Sequence, residues 1–267
     1  MHSLLQKAAC AEDVEYDLHP RLNQDHCLPF PPAPTEEIHK SLFKSKNSTP
    51  GCDEITTPVI KKAWPILGPA ITTLFQCCLQ TGWHPTPFRS ATLVAIPKPG
   101  KRDQSNPRAY RLIALLSALG KGLERLIARC MSWIAIKHKV LHPQQFGALP
   151  LCSSTDLTAA VVHDIELAWS QGRKASMLTL DVQVAFDAVL PGQLIQRLHD
   201  QSWPIEVIRW VASFTQNRSA NLRMGDHTSQ VYNTPAGVPQ GSPVSPILFM
   251  LFTEPVFKLG SPQLQRG

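Results

Sequence analysis

Apolar positions along the chain alternate between two periods. Leu67, Ile71, Leu74 and Cys78 recur at helical spacing between a Thr57-Pro58 pair, read as N-cap and N1, and a stop at Gly82. A second apolar stripe, Leu123, Leu126, Ile127, Met131 and Ile134, follows Ser117 as its cap. A third, Leu157, Val161, Ile165 and Ala168, opens at Ser154 and ends near Gly172. Strand-like runs lie between the helices. The stretch "ATLVAIPKPGKRDQSNPRAYRLIAL" is two β-prone runs joined by a Pro, Gly and charged tip, which predicts a hairpin. "LTLDVQVAFDAVL" begins as a buried strand with Asp181 at its polar end. Two helices follow, the second started by Pro204, then a hairpin turning at Gly225-Asp226 and an apolar helix over Pro246 to Phe252 under the sheet. Hairpins without a repeated βαβ rhythm predict an α+β fold, with helices packed on a small, mostly antiparallel sheet.

The first 34 residues end in "LPFPPAP", whose prolines favour an extended linker behind a frayed leader. The main unit is expected over residues 35–260, with a tail at 261–267. Composition narrows the class. The 267 residues are 43% hydrophobic, enough for a sizeable core, and Lys plus Arg exceed Asp plus Glu by 26 to 20, a balance that favours polyanionic partners. The seven cysteines never form a C-x-x-C pair, so neither a zinc ribbon nor a disulfide framework is expected. No apolar run approaches the ~18 residues a membrane span needs, and the chain reads as intracellular and soluble.

Three features carry candidate chemistry. The hairpin tip gathers Lys98, Lys101, Arg102, Arg108 and Arg111 around Asp103 alone, and reads either as a solvated loop or as a phosphate-gripping finger. Asp181, at the end of an apolar strand, is costly there unless it meets a cation or a partner. "GVPQGSPVSPILF" joins a loop rich in backbone amides to a helix N-terminus that can face phosphate or template.

Taken in order, these motifs resemble the reverse transcriptase domain of non-LTR (LINE-like) retrotransposons, of the fungal type. "STPGCDEIT" resembles the family's opening motif, with Cys52 and Glu54 where Pro and Gly are usual. "IPKPGK" and "AYRLIALLSALGKGLERLI" resemble the fingers hairpin and its helix, with Leu112 in place of the usual Pro. "QFGALPLCSSTDL" carries Cys152 where Arg is usual. The Asp181 stretch is then motif A, with Val184 where Gly is common, and "GVPQGSPVSPILF" is motif B. The resemblance implies right-hand polymerase fingers plus part of the palm. It also implies RNA-directed DNA polymerase chemistry with Mg²⁺, an RNA template, a DNA primer and deoxynucleotide triphosphates.

Residue by residue, Asp181 matches the catalytic, metal-holding aspartate, and Phe186 the residue beside the sugar 2′ position. Lys98 and Arg111 match triphosphate contacts, and Gln240 and Gly241 the nucleotide side of motif B. Lys101, Arg102 and Ser242 are expected along the nucleic acid, and Asp187 is expected to be structural. The family completes its metal site with a Tyr/Phe-x-Asp-Asp hairpin, and this chain has no Asp-Asp pair. A truncated or decayed copy, inactive alone, is therefore expected, with a non-catalytic nucleic-acid-binding remnant as the alternative.

Overall fold

A computed structural model describes residues 13–19, 27–44, 48–100, 103, 105–106, 109–150, 152–182, 185–234 and 236–259. The elements run α1 (Thr35–Phe43), α2 (Thr57–Thr81), a 3-10 turn (Thr86–Arg89), β1 (Ser90–Pro97), β2 (Tyr110–Leu115), α3 (Ala118–Lys137) and α4 (Ser154–Ser170). They continue with α5 (Pro191–Asp200), α6 (Ile205–Thr215), β3 (Ser219–Met224), β4 (His227–Thr228), β5 (Tyr232–Asn233) and α7 (Ser245–Leu259). The α+β expectation holds. The sheet is ordered β2-β1-β3-β4, with β5 also on β3; only β1 and β3 run parallel, and the other pairings are antiparallel.

The expected fingers hairpin forms, with Ile96 opposite Arg111 and Pro97 opposite Tyr110. The Gly225-Asp226 turn forms as well, between Met224 and His227, with Gly225 at φ 58°. Glycine supplies that left-handed backbone without strain.

Most of the core is helical. Leu123, Leu126, Ile127, Met131 and Ile134 of α3 are all buried, as their spacing requires, against buried residues of α1, α2, α5, α6 and α7. Helix α2 begins after Thr56 and ends at left-handed Gly82, where a Cβ would meet Arg209 Cβ at 2.5 Å. Its buried face is Ile60, Gly68, Ile71, Thr72, Phe75 and Cys78, whereas the expected Leu67 and Leu74 are exposed. Phe75, not Leu74, completes the stripe because it falls four residues from Ile71 and three from Cys78. Helix α7 forms as expected over Pro246 to Phe252, but packs on α5 and α3 instead of under the sheet. The sheet keeps a small cluster of its own, Ala91, Ala114, Leu116 and Ala220.

Two expectations are corrected. Residues 174–182 belong to no strand, and Met177, Leu178, Leu180 and Val182 are 57–84% exposed. An alternating pattern can mark strand side chains, but a strand also needs a neighbour for its N–H and C=O groups, and no strand pairs here. Helix α4 opens at Ser154 as expected, behind a Ser153–Asp156 capping box, yet none of its residues is buried. The described part of the leader is also not free. The Asp13 carboxylate accepts from the Gly192 and Gln193 amides at 2.8 and 3.1 Å, which caps α5, and Leu28 donates to the Ser202 carbonyl at 2.9 Å.

The opening motif shows why its unusual residue matters. Glu54, where Gly is the family's habit, adopts φ 55°, a left-handed backbone that disfavours a residue with a Cβ by about 1 kcal/mol. Glu54→Gly is expected to raise stability by about that amount in urea unfolding. A neutral or destabilising result would show that Glu54 gains compensating contacts.

Candidate polymerase site

Side chains alternate across a strand, so Lys98, two residues beyond Ile96, shares the face of Arg111 opposite Ile96. The Lys98 amide donates to the Ala109 carbonyl at 2.7 Å and keeps the ladder closed at the tip. Arg111 is exposed at its side chain and Lys98 is half-buried. Lys101 and Arg102 lie outside the described residues.

The motif B loop folds back onto this hairpin. Ala114 N–H donates to the Gln240 carbonyl at 2.7 Å, which extends the outer edge of β2. Gly241 has φ 121°, and a Cβ there would lie 2.7 Å from the Ala114 carbonyl and 3.5 Å from Ile113 Cγ2. Only glycine permits that approach. Ile113 stands two residues from Arg111 on the same face, so Gln240 and Gly241 sit beside the Lys98 and Arg111 side of the hairpin.

The same loop touches motif A from its other end. Val238 N–H donates to the Phe186 carbonyl at 2.8 Å and Gly237 N–H to the Val189 carbonyl at 3.0 Å. A Cβ on Gly237 would lie 2.8 Å from Asp187 Cα. The Phe186 ring packs on Phe249 of α7 with centroids 5.6 Å apart. Asp187 keeps exposed surface, yet loss of solvent around its carboxyl raises its pKa above the ordinary carboxylate value. The loop thus joins the fingers hairpin to Phe186, and three sequence motifs far apart in the chain become neighbours.

Asp181 is placed differently from the expectation. It is exposed, on the unpaired 174–182 stretch, and not at a strand end. Val184 lies outside the described residues. Among the described residues no three His, Cys, Asp or Glu side chains converge. The described groups therefore do not by themselves fit the divalent metal that the resemblance implies. Ser242, expected along the nucleic acid, is turned inward instead. It is 5% exposed and donates its hydroxyl to Glu124 at 2.5 Å.

Sequence reasoning passed over Glu124, although its spacing gave a signal. Glu124 falls three residues before Ile127 and seven before Met131, on the buried side of α3. A stripe of Leu, Ile and Met side chains does not by itself mark a carboxylate in the same phase.

No helix among the described residues is long and apolar enough to cross a membrane. Residues 96–264 match the family described as "Reverse transcriptase (RNA-dependent DNA polymerase)". The chain is 29% identical over 228 residues to "Probable RNA-directed DNA polymerase from transposon BS" of Drosophila melanogaster, covering 85% of this chain and 25% of the relative. It is 29% identical over 227 residues to "RNA-directed DNA polymerase from mobile element jockey" of Drosophila funebris, covering 85% and 25%. It is 27% identical over 221 residues to "Retrovirus-related Pol polyprotein from type-1 retrotransposable element R2" of Popillia japonica, covering 82% and 30%. The chain thus spans about a quarter to a third of these relatives' own length. The chain belongs to the reverse transcriptase (RNA-dependent DNA polymerase) family and is a reverse transcriptase domain of the non-LTR retrotransposon kind.

Proposed function

We propose that this chain supplies the fingers and part of the palm of an RNA-directed DNA polymerase that copies a retrotransposon RNA onto a DNA primer with deoxynucleotide triphosphates. The observation that carries the reading is the seating of the motif B loop between β2 and Phe186, with the Gln240 carbonyl on Ala114 and the Phe186 carbonyl on Val238. Lys98 and Arg111 then bind the triphosphate as point charge and fork. Phe186 stands beside the sugar 2′ position, Gln240 and Gly241 border the nucleotide, and Lys101 and Arg102 follow the nucleic-acid backbone. Asp181 is this chain's contribution to a metal site, with Mg²⁺ as the ion, and further carboxylates are required to complete it. The remaining part of the reading is an intracellular location. A fungal source, expected from the motifs, has no support from the relatives named, which are insect elements.

A specific observation favours a second reading, a nucleic-acid-binding remnant without catalysis: Asp181 is exposed on a stretch that pairs with no strand. Both readings keep the basic hairpin, and its test is salt dependence. For Lys98→Ala, Lys101→Ala and Arg111→Ala combined, binding to a primed duplex is expected to weaken. Its log-log salt slope should flatten by roughly 0.9 for each lost phosphate contact, the value for duplex DNA. An unchanged slope in a folded triple variant would assign these charges to ordinary solvation and remove the finger from the reading. Primer extension by a chimera in which this segment replaces its counterpart in a full-length relative, and its loss in Asp181→Ala, separates the polymerase from the remnant, which would leave the chimera inactive.

A further inference from the structure

The stretch running from β2 into α3 holds the motif B loop at two points. One is the Ala114 amide on the Gln240 carbonyl; the other is Glu124, whose Oε2 accepts the Ser242 hydroxyl at 2.5 Å. The second point is dry, with Glu124 at 0% and Ser242 at 5% exposure. Ser242 Oγ also accepts the Val244 amide at 3.2 Å, and the Ser242 amide donates to the Pro239 carbonyl at 3.1 Å. Ser245 Oγ donates to that same carbonyl at 2.9 Å. The Ser242 hydroxyl therefore links Glu124 to the residue before α7, while the Ser242 amide and the Ser245 hydroxyl close the loop's turn on the Pro239 carbonyl.

The cations around Glu124 hydrogen-bond other groups, and Arg218 Nη2 has no hydrogen-bond partner among the described residues. Lys121 Nζ, from α3, donates to Ser48 Oγ at 3.3 Å and the Thr49 carbonyl at 3.1 Å. Arg125 Nη1, also from α3, donates to the Ser41 carbonyl at 3.1 Å, and Arg218 Nη1, just before β3, to the Phe214 carbonyl at 2.9 Å. Glu124 Oε1 has no hydrogen-bond partner among the described residues. A buried carboxylate so sparsely bonded is a poor source of stability, since an apolar side chain of similar volume often does as well or better. Its consequence lies in what it holds.

Resting on the polymerase reading above, we propose that Glu124 is a positioning residue of the nucleotide and template site, fixing Gln240 and Gly241 against the Arg111-bearing strand by holding Ser242. Glu124 touches no substrate and acts only through the loop. The 2.5 Å separation is that of a hydroxyl donating to an ionised carboxylate. Burial raises the Glu124 carboxyl from its ordinary 4.5 to about 7, with the Ser242 bond and the charges of Arg218, Lys121 and Arg125 offsetting part of the rise. Protonation below that range turns the charge-assisted acceptor into a neutral acid and loosens the loop.

The test reads the loop and the ligand separately, on the full chain. Hydrogen exchange at the Ser242 and Val244 amides, corrected for intrinsic rates, is followed above and below pH ~7 in wild type, E124Q and S242A. Affinity for a fluorescent poly(rA)·oligo(dT) duplex is measured in the same samples, with circular dichroism to establish folding. Wild type is expected to lose loop protection as the pH falls, while both variants show low protection without a pH step. Above neutral pH both should bind the duplex about tenfold more weakly, the size of one lost charge-assisted hydrogen bond. Wild-type protection and pH profile in either folded variant overturns the proposal, and so does lost protection with unchanged affinity. S242A, which keeps the buried carboxylate, carries the comparison if E124Q does not fold. Wild type that fails to bind the duplex at any pH strikes the polymerase reading itself, a result visible without the variants.

Discussion

Primer extension on an RNA template is expected to stay at background when this chain is the only protein present, with Mg²⁺ or Mn²⁺, and Asp181→Ala is expected not to lower it. A two-metal site works by fixing both ions relative to the attacking and leaving oxygens. Asp181 is exposed on an unpaired stretch, and no three metal-binding side chains converge among the described residues. Removing one preorganised charge from such a site costs on the order of 10²–10³ in rate, and here the deficit is a group of ligands. The parts proposed to border the nucleotide are nevertheless seated, because motif B is fixed to β2 and Phe186 by backbone bonds. The expected phenotype is therefore binding without turnover. Extension above background that disappears in Asp181→Ala would show that other carboxylates, Asp187 among them, reach Asp181 in solution.

How much of this was legible in the sequence depended on whether the governing interaction was local. The β1–β2 hairpin, the stripe of α3, the start of α6 at Pro204 and the Gly225-Asp226 turn were all readable, because turn chemistry and side-chain period act within a few residues. The stretch at 178–182 was misread because its pattern describes side chains, whereas a strand exists only when another chain segment answers its backbone groups. The motifs name candidate site residues. Their arrangement was not legible: the amide of Ala114 on the carbonyl of Gln240, and the inward turn of Ser242, are bonds between distant segments that no local pattern encodes. The cap that Asp13 places on α5 was hidden for the same reason. Proline-rich composition pointed to a linker and carried no word on where the preceding residues would dock.

The largest stability effect is expected from two buried groups that titrate in opposite senses. His84 is fully buried among the Phe88, Trp210 and Phe214 rings; the Phe88 backbone lies close enough to favour its charged form slightly, but neither ring nitrogen makes a hydrogen bond of good geometry among the described residues. Burial, with Arg218 and Arg89 adding to it, lowers its pKa from 6.5 to about 3. The unfolded chain therefore binds a proton at this residue before the native chain does, and stability is lost as the pH falls below 6.5. Glu124 works the other way. Its native pKa of about 7 exceeds the ordinary 4.5, so the native chain binds the extra proton, and stability is lost as the pH rises through about 7. Between 6.5 and 4.5 both groups lie inside their windows, each contributing about 1.4 kcal/mol per pH step with opposite sign, and they largely cancel. E124Q removes one side of that balance. Across the same window the variant is expected to lose on the order of 3 kcal/mol relative to wild type in urea unfolding, because His84 is left uncompensated. Replacing His84 with a neutral residue in the E124Q background should remove the slope again. A difference between wild type and E124Q that does not change with pH would mean that Glu124 titrates alike in the folded and unfolded chains, and that its carboxyl is reached by solvent.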